Sequence, residues 1–291
     1  MFQSVIDDIK AQFSHGNMVS KIILVNLFVF LFIIIVKAFT PTGSQVYSTL
    51  IEWLALPSDG WKILKKPWTL FTYMFLHEGL WHLAWNMIML YWFGRILGDL
   101  MGDKRMLPLY ILGGLAGAVM YIIYVQISGT VGDVRGASAA ISCIIITAAL
   151  VAPDYNIRLL LIGNVRLKYI ALFLFIFDLV SIAEGNNVGG NFTHIGGAIM
   201  GITFIYMLRQ NMDLTKPFAK DINLLSIKRR KQAPMKVVHN KKFPKRKVDK
   251  EPRPVNIQER IDQILDKINV SGYDSLNSEE KDFLYKASKN S

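Results

Sequence analysis

One cysteine in 291 residues leaves no way to close an intrachain disulfide. Cys143 lies in an apolar run, where a thiol behaves as packing material, and a disulfide-stapled scaffold is excluded. Charge is scarce too. Asp, Glu, Lys and Arg make up 19% of the chain, against about 25% in soluble domains. What charge there is sits late: 20 of the 33 Lys+Arg follow residue 208, so the net +11 belongs mainly to the last third. The first two thirds have few charges in a chain that is 52% hydrophobic, with a mean hydropathy of +0.31. That is too apolar for a surface facing water on every side. Disorder and collagen are excluded by the same composition.

Several motifs are also missing. No small-residue cleavage site follows the first apolar run, and some 20 residues including Asp7 and Asp8 precede it, so an uncleaved span fits better than a signal peptide. His77-Glu78 is followed by His82, five residues after His77. A helical metalloprotease needs H-E-x-x-H, so no metal site is expected. No G-x-G-D occurs, which leaves an aspartyl intramembrane protease unsupported.

What is there is a set of apolar segments long enough to cross a bilayer. Six spans are expected at about 22–38, 78–97, 107–127, 137–152, 169–183 and 192–208. The fold class is therefore all-α, a polytopic six-helix bundle over residues 1–208. Phe2, Val5, Ile6, Ile9 and Phe13 suggest an amphipathic surface helix before the first span. Trp53, Trp61 and Trp68 mark residues 39–68 as an interfacial loop. Residues 209–254, basic and holding Pro217, Pro234, Pro244, Pro252 and Pro254, read as a flexible linker. Anionic lipid is the expected partner of that run, and nucleic acid is not. Residues 255–291 read as a small helical module, with a capping box from Asn277 to Glu280. Charge bias places the tail and both termini in the cytoplasm, with a bacterial inner membrane as the expected location.

Polar groups at membrane depth are expensive and need a reason. His82 and Asn86 share one helix face in span two. Gly136-Ala137-Ser138-Ala139 opens span four, and Thr193-His194-Ile195-Gly196-Gly197, with Gly201, opens span six. All three spans run in the same direction, so His82, Asn86, Ser138 and His194 converge at the outer side. A serine hydroxyl needs a base to become a nucleophile, and His194 is the candidate. No carboxylate matches its depth in this reading. Asp178 is taken as an isolated structural or near-surface group, so a Ser–His dyad is expected. The Ser138 backbone N–H, Asn86 and His82 are candidate oxyanion donors. Gly136, Gly196, Gly197 and Gly201 are read as close-packing positions that bring spans four and six together. His77 is placed at the loop edge as an interfacial group. Neither metal nor cofactor is required.

These residues resemble the rhomboid intramembrane serine proteases over about 60–208. The resemblance rests on Pro67-Trp68, His82-x3-Asn86, Gly136-Ala137-Ser138 and His194-x-Gly196-Gly197-x3-Gly201, in order and on the matching spans. It implies Ser138 as nucleophile, His194 as general base, His82 and Asn86 at the oxyanion hole, an outward-opening aqueous cavity, and single-span membrane proteins as substrates. The chain departs from the family pattern at Ala139, at Ser142, where an aromatic often stands, and at Thr69. The alternative is a non-catalytic rhomboid-like protein that binds membrane proteins. Retention of both Ser138 and His194 argues against it.

Overall fold

The computed structural model describes residues 17–41, 45–159, 163–219 and 257–289. The expected surface helix within 1–16 lies outside the described residues, as does most of the 209–254 run. The chain divides into two compact units, 1–230 and 231–291.

Among the described residues six long helices form the body of the first unit: α1 (Met18–Phe39), α2 (Leu80–Met101), α3 (Met106–Ser128), α4 (Ser138–Val151), α5 (Leu167–Ala183) and α6 (Val188–Arg209); shorter helices include Gln45–Leu54 and Gly60–Lys65, which fold the expected interfacial loop between α1 and α2. Among the described residues three segments are long and apolar enough to cross a membrane on those grounds alone: Met18–Phe39, Asp103–Ser128 and Val188–Arg209. α4, at 14 residues, is a shorter apolar helix. α2 carries His82, Asn86, Arg95 and Asp99, which dilute its hydropathy. The polar groups of α2 thus make it less visible to a hydropathy scan than α1 or α3.

The bundle is centred on α4 and α6. α6 packs most extensively on α3 and α4, and α4 touches all four of its other helical neighbours from α2 to α6. Close approach explains this. A Cβ at Gly197 would meet the Ala139 carbonyl oxygen at 2.0 Å, and one at Gly201 would meet the Cys143 carbonyl oxygen at 2.7 Å. Such backbone contact replaces the hydrophobic drive that lipid cannot supply. Gly196 turns elsewhere: its Cβ would strike Ala116 O at 2.5 Å on α3. It packs α6 on α3, not on span four as the sequence reading has it. α3 answers with Gly113 and Gly117, whose added Cβ atoms would fall 2.4 Å from Cys143 Cβ and 2.5 Å from Ala139 Cβ. α1 is pinned by buried Asn26, whose amide donates to Ile22 O and to the Tyr110 hydroxyl, while Tyr110 donates to Met74 O.

The two ends of this unit are distinct. At one end the Met18 N–H reaches Asp103 at 2.8 Å, and Arg105 pairs with Asp213 at 2.9 Å. The start of α1, the α2–α3 turn and the exit from α6 therefore lie together. Burial opposes ionisation of Asp213, but donation from the Thr215 hydroxyl and amide and from Arg105 outweighs it and holds the carboxyl below its ordinary value. The first residues after 209 are thus tied down, where a flexible linker was expected. At the other end, β1 (Leu56–Pro57) pairs antiparallel with β2 (Asp133–Val134). There Trp53 stacks on Trp68 at 5.6 Å, and Trp61 stays exposed.

A second ribbon follows α4. β3 (Asn156–Leu159) and β4 (Gly163–Arg166) form an antiparallel hairpin. Helices dominate the fold as expected, and this hairpin is an addition to it. Its sign is the period-2 alternation of Ile157 and Leu159 with Asn156 and Arg158.

In the second unit α7 (Ile257–Ser271) and α8 (Ser278–Lys289) flank a short turn. Asn277 Oδ1 accepts from Glu280 N at 2.8 Å, and Glu280 accepts from Asn277 N at 2.9 Å, closing the capping box. Lys267 bridges to Glu280 at 2.9 Å, while Ile264 and Leu276 are buried.

Candidate active site

α4 starts abruptly at Ser138, and local geometry says why. Gly136 takes φ +144°, a conformation side chains rarely adopt. Its N–H donates to Tyr73 O at 3.0 Å. Arg135, one residue earlier, pairs with Glu78 at 3.2 Å. The chain turns on Gly136 into the helix, and Ser138 becomes the first helical residue. Its N–H therefore has no partner within the helix. Gly136 was expected as a helix-packing glycine; instead it keeps a space open. A Cβ there would stand 3.0 Å from His82 Nε2 and 3.6 Å from Ser138 Oγ.

α6 brings His194 to this point. His194 Nε2 lies 2.7 Å from Ser138 Oγ, and His194 Nδ1 lies 2.8 Å from Asp178 Oδ1 on α5. Asp178 is therefore not an isolated carboxyl; it is the partner of the imidazole, and a three-residue chain replaces the expected dyad. The error traces to a helix boundary. α6 begins at Val188 rather than 192, so His194 stands six residues, or about 9 Å, inside the helix. Asp178 stands five residues, or about 8 Å, before the end of α5. The two depths match.

From α2, Asn86 is buried and its amide donates to His82 O at 2.8 Å. One amide hydrogen is spent on its own helix, and the second is available to the cleft. The His82 ring meets His77 edge-on at 5.2 Å. His77 is 6% exposed, not interfacial as expected, and neither ring nitrogen has a hydrogen-bond partner among the described residues. Burial first, and the adjacent His82 second, push it down to about 4, so it is neutral at pH 7.

His82, Asn86, Ser138, Asp178 and His194, but not His77, line a cleft of about 790 Å³. Trp85 and Met89 wall it from α2, Phe173 and Phe177 from α5, and Ile145 from the floor on α4. Asp133 and Arg135 stand at its rim. Ser142, where the family often has an aromatic, also lines it. Among the described residues no group of His, Cys, Asp and Glu is arranged to hold a metal ion.

A helical bundle with a serine, an imidazole and a carboxylate in series inside an apolar cleft defines a class: a multi-pass membrane protein with a polar cluster held inside its bundle. The Rhomboid domain model matches residues 64–211, half of the chain, and the chain belongs to the rhomboid family. Residues 252–290 match a family of unknown function (DUF6576). "RHOMBOID-like protein 12, mitochondrial" of Arabidopsis thaliana is 33% identical over 145 residues, 45% of this chain and 43% of that protein. "Presenilin-associated rhomboid-like protein, mitochondrial" of Bos taurus is 25% identical over 151 residues, 50% of this chain and 38% of that protein. "Inactive RHOMBOID-like protein 8" of Arabidopsis thaliana is also 25% identical over 151 residues, 51% and 39% of the two chains. The match spans less than half the length of each of these relatives. Two of them are mitochondrial by name, so a bacterial inner membrane finds no support in them.

Proposed function

We propose that the chain is an intramembrane serine endopeptidase. The observation that carries this reading is the 2.7 Å contact between His194 Nε2 and Ser138 Oγ inside the cleft. With Nδ1–H donating to Asp178, the Nε2 lone pair faces the hydroxyl, the tautomer a general base requires. Ser138 Oγ attacks the scissile carbonyl carbon and its proton passes to His194 Nε2. The oxyanion falls in the space that glycine at 136 keeps open. There the Ser138 N–H, the second Asn86 amide hydrogen and His82 Nε2–H are the donors within reach. Collapse breaks the C–N bond, and the amine leaves with the proton from Nε2. Water then attacks the acyl-enzyme, gives its proton to Nε2, and the carboxylate product departs as Ser138 recovers its hydrogen. Asp178 touches no substrate in this scheme; it is a positioning residue.

The substrate class follows from the walls. Apolar side chains from α2 and α5 suit a membrane-embedded polypeptide. A helical peptide bond has its carbonyl engaged, so the cleaved segment must be locally extended. By charge, the end with Asp103 and Asp213 is the inner side, because Lys104 and Arg105 lie in the α2–α3 turn, Arg166 ends β4 and Lys168 stands in the first turn of α5. The basic run within 209–254 remains, on charge alone, an anionic-lipid contact.

The test is covalent. In purified, folded protein Ser138 should react with a fluorophosphonate, and His194→Ala and Ser138→Ala should each abolish labelling. A reporter membrane protein should be cut by the wild type alone. Absence of both labelling and cleavage selects the other reading, a binding protein without catalysis; one relative is named inactive.

A further inference from the structure

A second cleft, of about 680 Å³, lies between the inner part of α2 and the β3–β4 hairpin. Tyr91, Trp92 and Arg95 face it from α2, at helical spacing, and Tyr155 and Arg158 face it from the hairpin side. It is well separated from the catalytic groups: α4 runs 14 residues, about 21 Å, from Ser138 to the end from which the hairpin leaves.

Some inner cations are paired and others, such as Lys104 and Arg209, have no ion-pair partner among the described residues; two guanidiniums of the second kind stand together at this cleft. Arg105, Arg135, Arg166 and Lys168 each have a carboxylate within 4 Å. Arg95 and Arg158 have no ion-pair partner among the described residues, and both are exposed. Arg95 lies over the Tyr91 ring, at 5.8 Å. Arg95 stands six residues, about 9 Å, before the end of a bilayer helix. An unpaired guanidinium at that depth is costly unless an anion meets it. Trp92 and Tyr155, each nearly half exposed, have the amphipathic rings that settle at headgroup level.

We propose that this cleft binds one anionic glycerophospholipid of the inner leaflet, its phosphate held between Arg95 and Arg158. Guanidinium forks suit phosphate oxygens, and two of them on separate elements fix a headgroup in place. Trp92 and Tyr91 flank the upper acyl chain. The lipid would clamp the hairpin to α2, a contact distinct from any made by the basic tail.

The full-length protein is placed in phosphatidylcholine nanodiscs doped with a photoactivatable phosphatidylglycerol, and crosslinked peptides are mapped. Adducts are expected on the peptides holding 91–96 and 155–159, and excess unlabelled phosphatidylglycerol should remove them. R95Q/R158Q should lower those adducts about tenfold or more, while adducts on the tail persist as an internal control. R166Q, which breaks a pair with Asp154, should leave them unchanged. R158Q alone, on an exposed strand, gives a partial loss should the double variant fail to fold. Equal adducts from a photoactivatable phosphatidylcholine, unchanged adducts in both R158Q variants, adducts on the tail alone, or displacement by inorganic phosphate would each overturn the proposal.

Discussion

Asp178→Asn separates a carboxylate that works from one that merely packs. The substitution keeps the shape and removes the charge opposite His194 Nδ1, 2.8 Å away. A hydrogen bond to a charged group contributes about 1.5–3 kcal/mol, and about 1.4 kcal/mol is a tenfold change in rate. Losing it from the transition state, in which the imidazole becomes positive, costs about 10–10² in kcat. A second effect adds to this. The new amide can donate to Nδ1, which moves the proton to Nε2 and turns the base away from Ser138. In soluble Ser–His–Asp enzymes that inversion costs about 10⁴. The expected fall in kcat therefore lies between about 10-fold and 10⁴-fold, with KM changed by less than about threefold because the side chain holds the imidazole rather than substrate. Cleavage of a reporter substrate in detergent gives both constants. Fluorophosphonate labelling of Ser138 should slow in parallel, since it needs the same base. A folded Asp178→Asn protein with kcat within about threefold of wild type would refute the reasoning and restore the dyad.

Asn86→Ala should lower kcat by about 10²–10³ while thermal unfolding in detergent stays near wild type, because a donor is lost and little packing is; full activity would remove Asn86 from the oxyanion site. Gly197→Val places carbon where the Ala139 carbonyl oxygen stands, 2.0 Å from the ideal Cβ, so α4 and α6 must separate. Loss of activity with a lowered melting temperature is expected, and an unchanged melting temperature would contradict the packing. A chain ending after residue 219 keeps the Arg105–Asp213 pair and should cleave the reporter at a rate close to that of the full chain. A folded truncation that cannot cleave would show that the tail contributes to catalysis.

Why the sequence revealed some of this and hid the rest follows from what each signal measures. His82, Asn86, Ser138 and His194 were legible because polar groups stand out in apolar helices, and because parallel direction of three spans equates their depth. Asp178 stood out equally, yet depth arithmetic displaced it. The polar stretch Val188–Phe192 masks the first turn of α6, so hydropathy starts the helix late and lifts His194 toward the surface. Bilayer hydropathy reports lipid exposure, and this turn is read by its neighbours rather than by lipid: Asn191 is 5% exposed and donates to Asn186 O at 2.9 Å. The glycines divided in the same way. A small-residue run announces close approach but not the partner, and Gly196 meets Ala116 and Gly117 on α3 rather than α4. The inner hairpin carries a period-2 pattern over four residues per strand, too short to stand against the helical signals on either side. The late start of α6 has one cause: a segment whose environment is protein rather than lipid was measured on a lipid scale. In a membrane bundle that is where such a polar cluster must be, since only a surface turned away from lipid can hold a carboxylate, an imidazole and water together.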